Sequence, residues 1–146
     1  MTVDEALEGV RRVFLDTADA VYIVEINDTF SEVARSIVGC CIDRTIEIVV
    51  GPVTIAECLS RSVESDELQA LGSLLVESSE FTFRDLGQDA SVIAGNLRRQ
   101  TGLELPDALQ IAQTVSVNCD IFLTNDREMS VRQTAAKVVS LSEIDP

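Results

Sequence analysis

Four carboxylates fall where a fold alternating strands with helices could gather them: Asp16, Glu57, Asp107 and Asp126. Asp16 closes the apolar run VFLD, Asp126 follows IFLTN, Asp107 opens a helix in LELPDAL, and Glu57 rides on the helix of VTIAECL. Strand ends and helix starts along one sheet edge are where α/β folds bind ligands. Two carboxylates about 4 Å apart repel by roughly 4 kcal/mol at an effective dielectric of about 20, so a cluster must take up protons or a cation. Carboxylate and water ligands select a hard divalent ion, magnesium or manganese, and magnesium usually takes only one or two protein carboxylates. Asp16 and Asp107 are the first candidates to hold it, with Asp126 a third. Such an ion holds a phosphate oxygen, lowers the pKa of a bound water and neutralises charge building on a scissile phosphate. Phosphodiester hydrolysis then needs no histidine, and the chain has none. Glu57 or Asp126 would orient the attacking water or complete the coordination sphere, and the residues leave those two roles open. Thr17, Thr124 and Asn125 stand where they could hydrogen-bond the carboxylates from behind.

Each of these residues also has a plainer explanation, because Asp and Glu together number 25 in 146 residues. Asp16 and Asp107 could cap helices, Asp126 could be a turn aspartate, and Glu57 could sit on a solvated helix face. Their joint placement favours a site.

The elements that must position them follow from periodicity. Residues 1–12 carry Val3, Leu7 and Val10 at helical spacing, which predicts a short helix on an N-terminal extension. Residues 13–15 read as a buried strand, and the polar cluster Asp16, Thr17, Asp19 as its stop and the cap of a helix over 19–26. Phe30, Val33, Ala34, Ile37, Val38 and Cys41 make the stripe of a second helix. The β-branched run 46–50 ends at Gly51-Pro52, and Ile55, Ala56, Leu59 and Val63 then resume helical spacing with Glu57 among them. A helix over 68–76, a strand at 81–83 and a helix over 90–97 follow. Thr101 and Gly102 stop the last of these, and Pro106 starts a helix whose positive end favours Asp107. Strands at 121–123 and 138–141 complete the series, with the final residues expected to be loose. Strands separated by helices require crossovers, so the fold class is α/β: a three-layer α/β/α sandwich around a central, mostly parallel sheet. No repeat or composition shift marks a second domain, and 146 residues suffice for one core, taken as residues 13–146.

A net charge of -14 argues against a protein that grips nucleic acid through a broad basic surface, so any phosphate contact must be local. Arg98 and Arg99 form a compact basic pair near a helix end, and their plainer role is a solvated face. Acidity on this scale suits a basic partner segment. Cys40, Cys41, Cys58 and Cys119 show no CxxC spacing, which together with the lack of histidine argues against zinc. They read as reduced, small apolar residues of a cytoplasmic protein, and no apolar segment resembles a secretory signal or a membrane span.

The segments VFLDT, VTIAE, LELPDALQIAQ and DIFLTND, in that order and spacing over residues 13–141, resemble the PIN domain family. GNLRRQTGLELPDALQIAQ carries most of the likeness. Within the family the chain is most similar to the VapC-type toxins of type II toxin–antitoxin systems. The resemblance implies magnesium- or manganese-dependent cleavage of RNA and carries the acidic quartet over to Asp16, Glu57, Asp107 and Asp126. It also implies homodimers, and a small antitoxin whose basic, often arginine-bearing tail enters the acidic groove. The alternative within the same fold is a domain that binds a partner or metal without useful catalysis. A phospho-acceptor signalling domain would need a paired acidic cluster after the first strand and a placed lysine, whereas Thr17 follows Asp16 and Lys137 lacks that setting. A haloacid-type phosphatase would need a second aspartate two residues beyond Asp16, where Ala18 stands.

Overall fold

The computed structural model describes residues 1–24, 29–60, 66–125 and 136–146. Strands β1 (Arg12–Leu15), β2 (Glu47–Val50), β3 (Phe81–Phe83), β4 (Ile121–Thr124) and β5 (Val138–Ser140) form one sheet in the order β3-β2-β1-β4-β5. Every neighbouring pair runs parallel. The helices between them are α1 (Val3–Ala6), α2 (Thr17–Val24), α3 (Thr29–Asp43), α4 (Pro52–Ser60), α5 (Asp66–Glu77), α6 (Gln88–Thr101) and α7 (Leu105–Ser116).

Alternation along the strands divides the core. Val13 and Leu15, Ile48 and Val50, and Ile121 and Leu123 face one cluster, which α1 to α5 cover. Phe14, Val49 and Phe122 face the other, under α6 and α7. Because both faces are buried, these strands read as continuous apolar runs. Phe14 and Phe122 stack across the β1–β4 pair with ring centroids 5.7 Å apart.

The N-terminal residues are part of this packing: Ala6 and Leu7 join the first cluster, and Gly9 at φ 71° turns the chain towards β1. The C-terminus departs from the expected loose tail. Leu141 and Ile144 are buried, and the Asp145 N–H donates to the Met1 carbonyl at 2.6 Å. Two apolar side chains within the last six residues anchor the end that position alone would have left free. The expected helical residues 25, 26 and 61–63 lie outside the described residues.

The strand order carries one consequence for function. From β1 the chain first builds outwards to β2 and β3, then crosses back to lay β4 on the other side. The crevice beyond the carboxyl ends of β1 and β4 is the switch point where open α/β sheets bind ligands.

Candidate metal centre

Asp16 follows the last residue of the central strand. The register pairs Leu15 with Leu123, so the next residues along, Asp16 and Thr124, meet at the switch point. The Asp16 N–H extends the ladder to the Leu123 carbonyl at 3.1 Å. Its carboxylate accepts two bonds: the Thr17 N–H donates to Oδ1 at 2.7 Å, and the Thr124 hydroxyl donates to Oδ2 at 2.7 Å. Both donors fix the side chain's direction and favour its charged form.

Glu57 reaches the same place from α4, where the Thr17 hydroxyl donates to its Oε1 at 3.0 Å. Behind it Thr54, fully buried on the same helix, directs its hydroxyl towards the Leu15 carbonyl at 3.5 Å and to Oε1 of Gln110 at 3.2 Å. That bond joins α4 to α7, the helix that brings Asp107. Pro106 lies at the start of α7 and Asp107 in its first turn, where the helix dipole favours a carboxylate. The turn before it is held firmly. Gly102 takes the left-handed conformation at φ 73° and donates to the Arg98 carbonyl at 2.8 Å, while the Arg98 guanidinium donates to the Leu103 carbonyl at 2.6 Å.

Electrostatics couple the three acids. Burial pushes the Asp16 carboxyl up from 3.8 to about 6; the Thr124 and Thr17 hydrogen bonds oppose this, and the charges of Asp107 and Glu57 add to it. An acid raised in this way holds a proton that a cation could replace. The donor set is oxygen throughout, which suits magnesium or manganese. Among the described residues no three Asp, Glu, Cys or His side chains group tightly enough to form a ready-made cage. Magnesium does not require one, since it keeps several of its waters.

Of the residues singled out from sequence, the structure thus brings together Asp16, Glu57 and Asp107 with Thr17 and Thr124. Asn125 follows Thr124 but directs its side-chain amide to the Tyr22 hydroxyl at 3.3 Å, not to a carboxylate. Asp126 lies outside the described residues.

A further acid was visible in the sequence only as part of a cap. Asp19, in the first turn of α2, is fully buried, and neither of its oxygens has a hydrogen-bond partner among the described residues. Burial, then the charge of Asp16, pushes its carboxyl well above the ordinary range. It lies three residues after Asp16, in the first turn of the helix that Asp16 precedes, a spacing that could have singled it out.

Comparisons with known proteins bear on the family and the fold. A model of the PIN domain matches residues 6–135. VapBC from Salmonella typhimurium, solved bound to DNA, superposes with a TM-score of 0.69 at 16% identity, over 89% of this chain and 98% of that one. VapBC2 from Rickettsia felis, bound to a DNA fragment from its promoter, gives 0.65 at 18% identity, over 88% and 98%. VapC20 from Mycobacterium tuberculosis, a sarcin-ricin loop cleaving toxin, gives 0.61 at 14% identity, over 75% and 86%. At such identities these likenesses concern the fold. None of the curated proteins is significantly similar in sequence. With the family model spanning the sheet from before β1 to beyond β4, and acids gathered at its switch point, the chain belongs to the PIN domain family.

Proposed function

We propose that this chain is a magnesium- or manganese-dependent endoribonuclease and the toxin of a type II toxin–antitoxin pair, acting in the cytoplasm. The observation that carries the proposal is the buried Asp16 carboxyl at the β1–β4 switch point, held by Thr17 and Thr124 and raised towards neutrality by burial and by Asp107 and Glu57. PIN domains of the VapC type are generally nucleases, and VapC20, which shares the fold, is a sarcin-ricin loop cleaving toxin.

Asp16 and Asp107 would hold the ion, with Asp126 a further ligand. When bound, it neutralises charge on the scissile phosphate and acidifies water. The chain's own groups do the rest. Asp16 gives up its proton and stays aligned through its two donors. Glu57, held by the Thr17 hydroxyl, or Asp126 accepts a proton from the attacking water. Water adds to phosphorus, the P–O bond to one ribose oxygen breaks, and that oxygen leaves as a hydroxyl, taking a proton from solvent, to which the carboxylate returns the one it accepted.

The partner proposals rest on other features. The net charge of -14 suits an antitoxin with a basic tail, because complementary charge speeds encounter and fixes register. A shallow apolar groove lined by Pro52, Ile55, Ala56, Leu59, Val76 and Phe83 offers a homodimer face. Leu59, Val76 and Phe83 are exposed there, and edge strand β3 borders it. Among the described residues no helix is long and apolar enough to cross a membrane.

The test is incubation of partner-free protein with structured and unstructured RNA in manganese, magnesium or chelator, beside Asp107→Asn. Cleavage that requires both metal and Asp107 supports the proposal. Intact RNA throughout, with metal still bound, favours the binding-only alternative.

A further inference from the structure

Arg98 and Arg99 stand at the end of α6, across the turn Gly102–Glu104 from Asp107. In a chain of charge -14 most surfaces repel a polyanion, so an RNA-cleaving chain needs cations beside its acids. Three other arginines are committed: Arg12 and Arg84 pair with Glu47, and Arg44 with Asp4. Among the described residues neither Arg98 nor Arg99 has such a carboxylate partner. Arg98 spends one donor on the Leu103 carbonyl, and Arg99 one on Oδ1 of Asn96 at 2.7 Å. A guanidinium carries five N–H donors, so each keeps donors for an anion, and both side chains are exposed. Arginine's planar fork matches phosphate oxygens. The bond to Leu103 also ties Arg98 to the turn that sets Asp107, so a phosphate held there is registered against the acids.

We propose that Arg98 and Arg99 form the substrate-backbone clamp of the site, binding phosphates of single-stranded RNA next to the one being cut. The proposal rests on the ribonuclease assignment. A purely structural role exists for the pair, since cations in the last turn complement the helix dipole. That role would alter thermal stability but not the salt dependence of RNA binding.

The experiment measures affinity for a single-stranded RNA oligomer across a potassium chloride series in calcium. It compares the parent chain, with calcium in place of magnesium or manganese, with the same chain carrying Arg98→Gln and Arg99→Gln. Loss of two phosphate contacts should weaken binding and make the slope of log affinity against log salt shallower by about 1.4. If the Arg98 substitution disturbs the turn, Arg99→Gln alone should still reduce the slope by about 0.7, because its bond lies within its own helix. An unchanged slope, with affinity within twofold, overturns the clamp and leaves the nuclease standing. Failure of the parent chain to bind RNA at any salt overturns both.

Discussion

Replacing Asp16 by asparagine should stabilise the metal-free protein, although it removes a residue with two hydrogen bonds. The carboxyl rises from 3.8 to about 6 on folding, mainly through burial. The folded chain therefore holds a proton that the unfolded chain has released. Stability contributed by the neutral acid is fully present below about 3.8 and is lost as pH climbs to about 6. At pH 8 the ionised group costs on the order of 3 kcal/mol relative to an uncharged one. Asparagine keeps an oxygen to accept from the Thr17 N–H, and its amide can donate to a Thr124 hydroxyl that turns round, so roughly 1 kcal/mol of hydrogen bonding is at risk. The net gain is about 2 kcal/mol, or roughly 6 °C in Tm for a domain of this size. Thermal unfolding of both proteins in chelator at pH 4 and pH 8 checks this. The variant should melt higher at pH 8 and match or fall below the parent at pH 4. A variant less stable at pH 8, or a difference indifferent to pH, would refute the assignment of Asp16 as a strained acid and favour a capping role.

Manganese at 100 times its dissociation constant should stabilise the parent by about 2.7 kcal/mol, while Asp16→Asn gains little, as melting curves with and without metal would show. Manganese affinity measured by calorimetry should fall as pH drops through about 6, where Asp16 takes up its proton. Thr124→Val removes a donor to Asp16 Oδ2 and should weaken metal binding about 10- to 100-fold with the fold intact. Gly51→Ala would place a Cβ 2.0 Å from Oε1 of Gln113, whose amide is anchored on the Arg84 carbonyl at 2.5 Å, so denaturant unfolding should show a loss of about 1–3 kcal/mol.

Much of the architecture was legible because each strand is buried on both faces. Runs such as VFL, IVV and IFL admit few other placements, and the Gly51-Pro52 and Gly102 breaks punctuate the helices. The convergence of Asp16, Glu57 and Asp107 was legible as a possibility, because strand ends and helix starts share one sheet edge. Its details were not. Thr124 meets Asp16 only because β1 and β4 pair in one particular register, and Thr17 meets Glu57 only through the seating of α4, both long-range facts. Asn125 could face either a carboxylate or α2, and Tyr22 captures it. Asp19 passed for a cap residue because burial is a property of packing that composition does not reveal, and Ile144 anchors a tail that resembles any polar terminus.

The most direct test of the central claim is the chemistry of RNA ends produced by the purified protein in manganese. Attack by water, assisted by carboxylates and an ion, leaves a linear phosphate on one fragment and a hydroxyl on the other; attack by the ribose 2′-hydroxyl leaves a 2′,3′-cyclic phosphate. Linear ends that vanish in chelator and in Asp107→Asn are the predicted result. Cyclic ends, or cleavage that survives both chelator and the substitution, would contradict the account.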